Sequence, residues 1–321
     1  MNEKVNKQYK YVSENIPPFI NVIWLFHMKT QIECLLCILE RGIRAVRELH
    51  KVNSEDLLRI SKALLKMLYE KFNFNVVPSF IGTEREKMLQ RLLNIPDLYA
   101  KLKQESNRVA KKIAEKIYKN INLSDKSFNT FRKVLLLSAV ANSMEWFIRG
   151  REFSIEQFDE EISLVEHNLS IDDTPSLMED ISNAQTLLYV LDNAGEAVFD
   201  LYTVKYLRNF VPNIIVAARA RPVLNDVTVG EAIELGFKAV SSEVVPVGWF
   251  IGVFLDHKDV NPYFLKIFDQ ADVVIAKGMG AYESLSEYKF TKPVYVILKT
   301  KCWPVANSLG VAKDSLVIKK L

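Results

Sequence analysis

Three short segments of this 321-residue chain carry residue types that can do chemistry. In Leu191-Asp192-Asn193-Ala194-Gly195-Glu196, a carboxylate and an amide stand just before a glycine. The glycine lets the chain turn, so the side-chain oxygens of Asp192 and Asn193 can converge on one hard cation. Arg219-Ala220-Arg221-Pro222-Val223-Leu224-Asn225-Asp226-Val227-Thr228 offers a second carboxylate in Asp226. Ala276-Lys277-Gly278-Met279-Gly280-Ala281-Tyr282-Glu283 offers a cation, Lys277, and then two glycines, Gly278 first, that permit close backbone approach to a ligand. Each segment also has a plainer reading. Asp192 with Asn193, and Asn225 with Asp226, can simply cap the helices that follow them. Glycine turns after strands are common, and lysines mostly point to water.

The charges favour the chemical reading of the set. Asp192 and Asp226 would neutralise a divalent cation, while neutral Asn193 adds an oxygen without repelling an incoming phosphate. Lys277 would offset substrate charge. Such a cation polarises a phosphoryl oxygen, stabilises developing charge and activates water, so metal-assisted phosphoester hydrolysis is the expected reaction. Oxygen-only ligands suit magnesium or manganese.

Something must bring the three segments together. Leu187, Leu188, Tyr189, Val190 and Leu191 form an apolar run without alternation, as in a strand covered on both faces. Further strands are expected at 213–219, 238–241, 272–276, 294–299 and 316–318, with helices between most of them. The fold class is therefore α/β: a three-layer α/β/α domain with a mostly parallel sheet and right-handed crossovers, whose ligands bind at the strands' carboxyl ends. Residues 194–210 read as a helix whose N-terminus, beside Asp192, suits a phosphate. The first half is different. Ser54-Glu55-Asp56 opens an amphipathic helix to about residue 72, and 97–119 repeats the pattern. Glu105 and Glu115 interrupt the lysines of the second helix, which makes it a solvated face rather than a nucleic-acid surface. The turn-rich Asp172-Asp173-Thr174-Pro175-Ser176 links the halves. The expected organisation is an extension over 1–27, a helical domain over 28–180 and an α/β domain over 181–321.

Composition adds exclusions. A chain with 49% hydrophobic and 25% charged residues can bury a sizeable core, and a net charge of +3 argues against a dedicated nucleic-acid binder. The apolar run at 19–26 is far short of the ~20 residues needed to span a bilayer. Three cysteines suit a reducing cytoplasm, where the protein is expected.

Asp192-Asn193-Ala194-Gly195-Glu196 with Asp200, Asn225-Asp226-Val227-Thr228, and Lys277-Gly278-Met279-Gly280-Ala281-Tyr282-Glu283 resemble, in that order, the damage-control phosphatase family, long known as domain of unknown function 89. Ala141-Asn142-Ser143-Met144-Glu145 and Lys301-Cys302-Trp303-Pro304-Val305-Ala306 extend the likeness to roughly residues 28–321. The resemblance implies a metal held by Asp192, Asn193 and Asp226, a phosphate-contacting Lys277 beside Gly278, and substrate contacts from Asn142 and Glu145. Glu145 stands where an aspartate is usual, and Ala281 where an asparagine is. It also implies a phosphatase of small phosphometabolites, sugar phosphates or phosphopantetheine-type compounds, supported by manganese, cobalt, nickel or magnesium. Other expected partners are a second copy of the chain at most, with no nucleic acid and no membrane.

Cys34-Leu35-Leu36-Cys37 resembles an N-terminal cysteine pair of microbial family members, with Cys302 as a third thiol. On an amphipathic helix the pair can equally share the buried face, and a zinc site wants four ligands. His27, His50, His167 and His257 accompany no nucleophile motif. Two other functions remain: a carboxyl methyltransferase using S-adenosylmethionine, and a non-catalytic phosphometabolite sensor. The first lacks a glycine-rich nucleotide loop after its first strand.

Overall fold

The computed structural model describes residues 28–142, 160, 162 and 164–321. The extension over 1–27, its apolar run and Glu145 lie outside the described residues. Among the described residues no helix is long and apolar enough to cross a membrane.

Helices α1 (Ile32–Arg44), α2 (Ser54–Lys71) and α3 (Pro78–Leu93) come first among the described residues. Asn53 starts α2 by accepting the Asp56 N–H at 2.8 Å, where the acidic opening placed it. The apolar stripe of α2, Ile60, Leu64 and Leu68, meets Ile38, Ile81 and Leu89 in a core of their own. That core is closed by Val223, Leu224 and Ile251 from the sheet half. Two further helices, α4 (Ala100–Tyr118) and α5 (Phe128–Ala141), pack instead on the sheet. The solvated face expected of α4 has one exception, because Lys103 is enclosed and ion-paired with Asp97 and Glu231, at 2.7 Å each.

Chain order then alternates: β1 (Leu169–Asp172), α6 (Thr174–Asn183), β2 (Thr186–Val190), α7 (Glu196–Leu207), β3 (Asn213–Ala218), α8 (Val229–Leu235) and β4 (Glu243–Pro246). It continues with α9 (Pro262–Gln270), β5 (Val273–Lys277), α10 (Gly278–Leu285), β6 (Val294–Lys299), α11 (Trp303–Leu309) and β7 (Leu316–Lys320). The seven strands form one sheet in the order β1-β7-β6-β5-β2-β3-β4. Between their end residues the central strands carry no charged side chain and no polar alternation, because both faces are covered. Leu187, Tyr189, Val216 and Ile275 pack under α4 to α8, and Leu188, Val190, Val274 and Val296 under α9 to α11. After β2 the chain moves to β3 on one side, and after β5 to β6 on the other. A crevice opens where those directions diverge, at the carboxyl ends of β2 and β5.

Two expectations need correction. The strand at 238–241 is a tight turn, Phe237–Ala239, entered from Gly236 at φ +106°, and the edge strand follows at Glu243–Pro246. The sheet also begins earlier than residue 181: β1 lies at its edge, so Asp172-Asp173 joins β1 to α6, where Asp172 accepts the Thr174 N–H at 3.1 Å, instead of linking the halves. The sheet is mostly parallel, as expected, with β7 running antiparallel to β6. Leu316 sits opposite Lys299, so the chain through α11 leaves and re-enters the sheet at the same edge and never crosses back along it.

Candidate functional site

The loops after β2 and β3 meet at the crevice. Val227 N–H donates to the Asp192 carbonyl at 2.8 Å, and Ala194 N–H to the Asn225 carbonyl at 2.9 Å. Neither loop's carboxylate caps a helix. The residue before α7 is Gly195, at φ +82°, with no side-chain cap. In front of α8, Thr228 and Glu231 form a reciprocal capping box. Asp192 and Asp226 are thus released from local duties, and both are buried.

What they share is Arg219, at the end of β3 and 0% exposed. Its Nε donates to Asp226 Oδ2 at 2.7 Å, its Nη2 lies 3.8 Å from Asp192 Oδ1, and its Nη1 donates to the Gly252 carbonyl. Sequence reasoning passed over this arginine, although an arginine ending a buried strand in the same loop as a candidate ligand was a usable signal. Gly278 forms the opposite wall. At φ +84°, a Cβ there would fall 1.8 Å from Asp192 Oδ2, so the carboxylate lies directly against bare backbone.

Lys277 is placed differently from its expected position beside a ligand. It is wholly enclosed, 3.1 Å from both Glu196 Oε1 and Asp200 Oδ1, and it donates to the Ser138 carbonyl at 2.9 Å and to the Ser138 hydroxyl. Burial alone would lower its pKa, but Asp200 and Glu196 outweigh that and hold it above the ordinary lysine value. Ser138 comes from α5, and so does Asn142 just beyond its end. Asn142 Nδ2 donates to Glu196 Oε2 at 2.6 Å and to Asp192 Oδ2 at 3.3 Å, while its Oδ1 accepts the Lys299 N–H at 3.1 Å. The helical half therefore supplies two polar side chains to a site otherwise built on strand ends.

Burial raises the pKa of Asp192 well above the carboxylate range, and the neighbouring Asp226 and Glu196 add to it. Burial also raises Glu196, with Lys277 opposing. Lys301, half-buried beyond β6, works against both shifts. Linked through these contacts are four enclosed acids, Asp192, Asp226, Glu196 and Asp200, and two enclosed cations, Arg219 and Lys277.

The donor set fits a hard divalent cation better than a soft one. Among the described residues no group of three or more His, Cys, Asp or Glu is arranged to hold a metal. A cation would therefore rely on a mixed set, the Asp192 and Asp226 carboxylates with the Asn193 amide oxygen. The Asn193 amide now donates its Nδ2 to Asp192 Oδ2 at 2.6 Å. Beside Asp226, the Oδ1 of buried Asn225 has no hydrogen-bond partner. The excess of acid and this unsatisfied oxygen are what a cation would relieve.

The cysteines offer no comparable centre. Cys34 is buried but Cys37, on the same helix, is exposed, so the two do not share the buried face. Burial pushes the Cys34 thiol up to about 11 and the Cys302 thiol up to about 12, which keeps both protonated and poor as ligands.

A mostly parallel sheet with helices on both faces, N-terminal helices leaning on its crevice, and an acidic site at the switch of strand direction together define the class. The chain belongs to the family of the damage-control phosphatase ARMT1-like domain, whose model matches residues 30–317. It is 31% identical over 307 residues to an uncharacterized protein of Methanocaldococcus jannaschii, across 93% of this chain and 99% of that one. It is 30% identical over 295 residues to a damage-control phosphatase of Pyrococcus horikoshii, across 90% and 97% of the two chains. The fold matches the crystal structure of a DUF89 family protein from Pyrococcus horikoshii with a TM-score of 0.82 at 30% identity, covering 92% of this chain and 99% of that chain.

Proposed function

We propose that this chain is a metal-dependent phosphatase that hydrolyses phosphate monoesters of small, damaged or surplus metabolites, sugar phosphates or phosphopantetheine-type compounds among them. One observation carries the reading: two buried carboxylates from different loops, Asp192 and Asp226, converge on one guanidinium, that of Arg219. Family relatives named as damage-control phosphatases support it.

Asp192, Asp226 and the Asn193 amide oxygen would hold the cation. When bound, that ion supplies Lewis-acid polarisation of the phosphoryl group and neutralises developing charge. Arg219 keeps the two carboxylates facing one point. Gly278 lets the backbone after β5 close directly against the Asp192 carboxylate. Asn142 binds Glu196 and Asp192 together, and Lys277 fixes Glu196 from beneath. Ala194 stands two positions after Asp192, where a nucleophilic aspartate mechanism would want a second acid, so in-line attack by water is the favoured route.

A screen of phosphate release over phosphometabolites with manganese, cobalt, nickel and magnesium tests this. Asp192→Ala is expected to lose the metal-supported rate by at least about 10²-fold while its circular dichroism is unchanged. Wild-type protein that releases no phosphate with any metal, or a D192A variant that stays active without metal, would overturn the reading.

A further inference from the structure

The two loops that carry Asp192 and Asp226 are both gripped from outside by a single face of α4. Asn107 Oδ1 accepts the Gly195 N–H at 2.7 Å. Gly195 is the pivot, at φ +82°, on which the chain turns from Asn193 into α7. The neighbouring Ser106 closes on the same glycine, since a Cβ at 195 would meet the Ser106 Cβ at 3.3 Å. Four positions earlier, one helical turn away, Lys103 is enclosed and paired with Glu231 Oε1 at 2.7 Å. Glu231 in turn accepts the Thr228 N–H and hydroxyl, each at 2.8 Å, which fixes the start of α8 two residues after Asp226. Lys103 and Asn107 thus hold one ligand loop each. Both loops are also stitched to each other by backbone hydrogen bonds, so a change in the grip on either one moves the pair.

We propose that Lys103 and Asn107 are positioning residues, a rigid helical brace that sets the separation of the Asp192–Asn193 and Asp226 loops and thereby the affinity of the site for a divalent cation. The inference rests on the metal-site reading above. A helix turn is a stiff ruler: 5.4 Å of rise, with side chains four apart on one face. Residues that orient ligands without touching the metal change its affinity by about 10–100-fold when replaced. An enclosed lysine in a solvated helix also needs such a reason, because a surface position would have made its charge far easier to solvate.

The test is manganese binding, followed through loss of the free-ion electron paramagnetic resonance signal, in full-length protein. Asn107→Leu removes the acceptor while nearly keeping the volume, Asn107→Asp keeps it, and Lys103→Met removes the grip on Glu231. Expected are dissociation constants about 10-fold or more above wild type for N107L and K103M, and within about threefold for N107D. With saturating manganese, kcat should recover most of its wild-type value in N107L, whereas KM for the phosphate ester should change little. Asn107 is half-buried and tolerates a shorter residue, so Asn107→Ser, whose hydroxyl does not reach Gly195, replaces N107L if that variant fails to fold. Wild-type affinity in folded N107L or N107S, or equal weakening in N107D, would overturn the proposal. Absence of manganese binding in the wild type would instead overturn the metal-site reading itself.

Discussion

Asp200 and Asp192 belong to one buried network and are held in opposite ways. Asp200 accepts hydroxyl hydrogen bonds from Ser138 at 2.6 Å and Tyr189 at 2.7 Å, and faces the Lys277 ammonium at 3.1 Å. Its charge is answered inside the protein. Asp192 shares a single arginine with Asp226, at a distance of 3.8 Å, and stands beside two other acids. The same residue type is structural where a cation and two hydroxyls close on it, and is left to a ligand where its shared cation stands farther off. Distance along the chain does not separate the two roles, because only one turn of α7 and its leading loop lies between them.

Breaking the balanced side should do the most damage. Lys277→Met leaves Glu196 and Asp200 enclosed without their cation, and a loss of about 3–5 kcal/mol in urea-unfolding free energy is expected, with or without manganese. An unchanged midpoint would mean that the lysine answers to a ligand instead. Glu283 offers a third arrangement, an acid whose burial raises its pKa to about 7 from 4.5. Between those values the folded protein keeps a proton that the unfolded chain has released. The corresponding stability is therefore present in full below pH 4.5 and lost as the pH rises through 7. At 1.36 kcal/mol per unit, the fall is up to roughly 3 kcal/mol, and Glu283→Gln should flatten it in melting curves recorded from pH 5 to 8. Asp200→Asn is expected to destabilise by about 2 kcal/mol, because it disarms the partner of Lys277 and unsettles two buried hydroxyls. Asp192→Asn should do the reverse and stabilise the metal-free protein by about 1 kcal/mol, since it removes one of several crowded acids. Matching signs for these last two variants, measured side by side without metal, would erase the distinction between the clusters.

Sequence patterns located what depends on local rules. Apolar runs marked β2, β3, β5 and β6 because a strand covered on both faces has no polar alternation to disguise it. Asp192 and Asn193 stand out because they follow β2 closely, and Asp226 because it is an acid in the loop that leaves β3. The edges were harder. β1 is four residues of half-buried and exposed positions, and β4 is Glu243-Val244-Val245-Pro246 with Val245 alone buried, so neither writes an apolar run into its sequence. The direction of β7 depends on where α11 leaves the chain, which no local pattern records. Arg219, Ser138 and the Lys277 network escaped for a related reason: their partners lie on other elements, with Ser138 and Lys277 139 positions apart. Lys103 looked like one more lysine on a wet helix until Glu231 was brought to it from across the fold.

The placement of β7 between β6 and β1 has a consequence for how the chain is made. Among the described residues β1 pairs with β7 alone, and the Ser170 and Ser315 hydroxyls that meet at this seam, 2.8 Å apart, are 145 positions apart in sequence. During synthesis the early strand must wait, exposed, until residues 316–320 clear the ribosome. A nascent chain halted before residue 316 would present both the β6 edge and an unmated β1, two open templates for another chain. The emergence of β7 is thus also the step that seals the molecule against its neighbours.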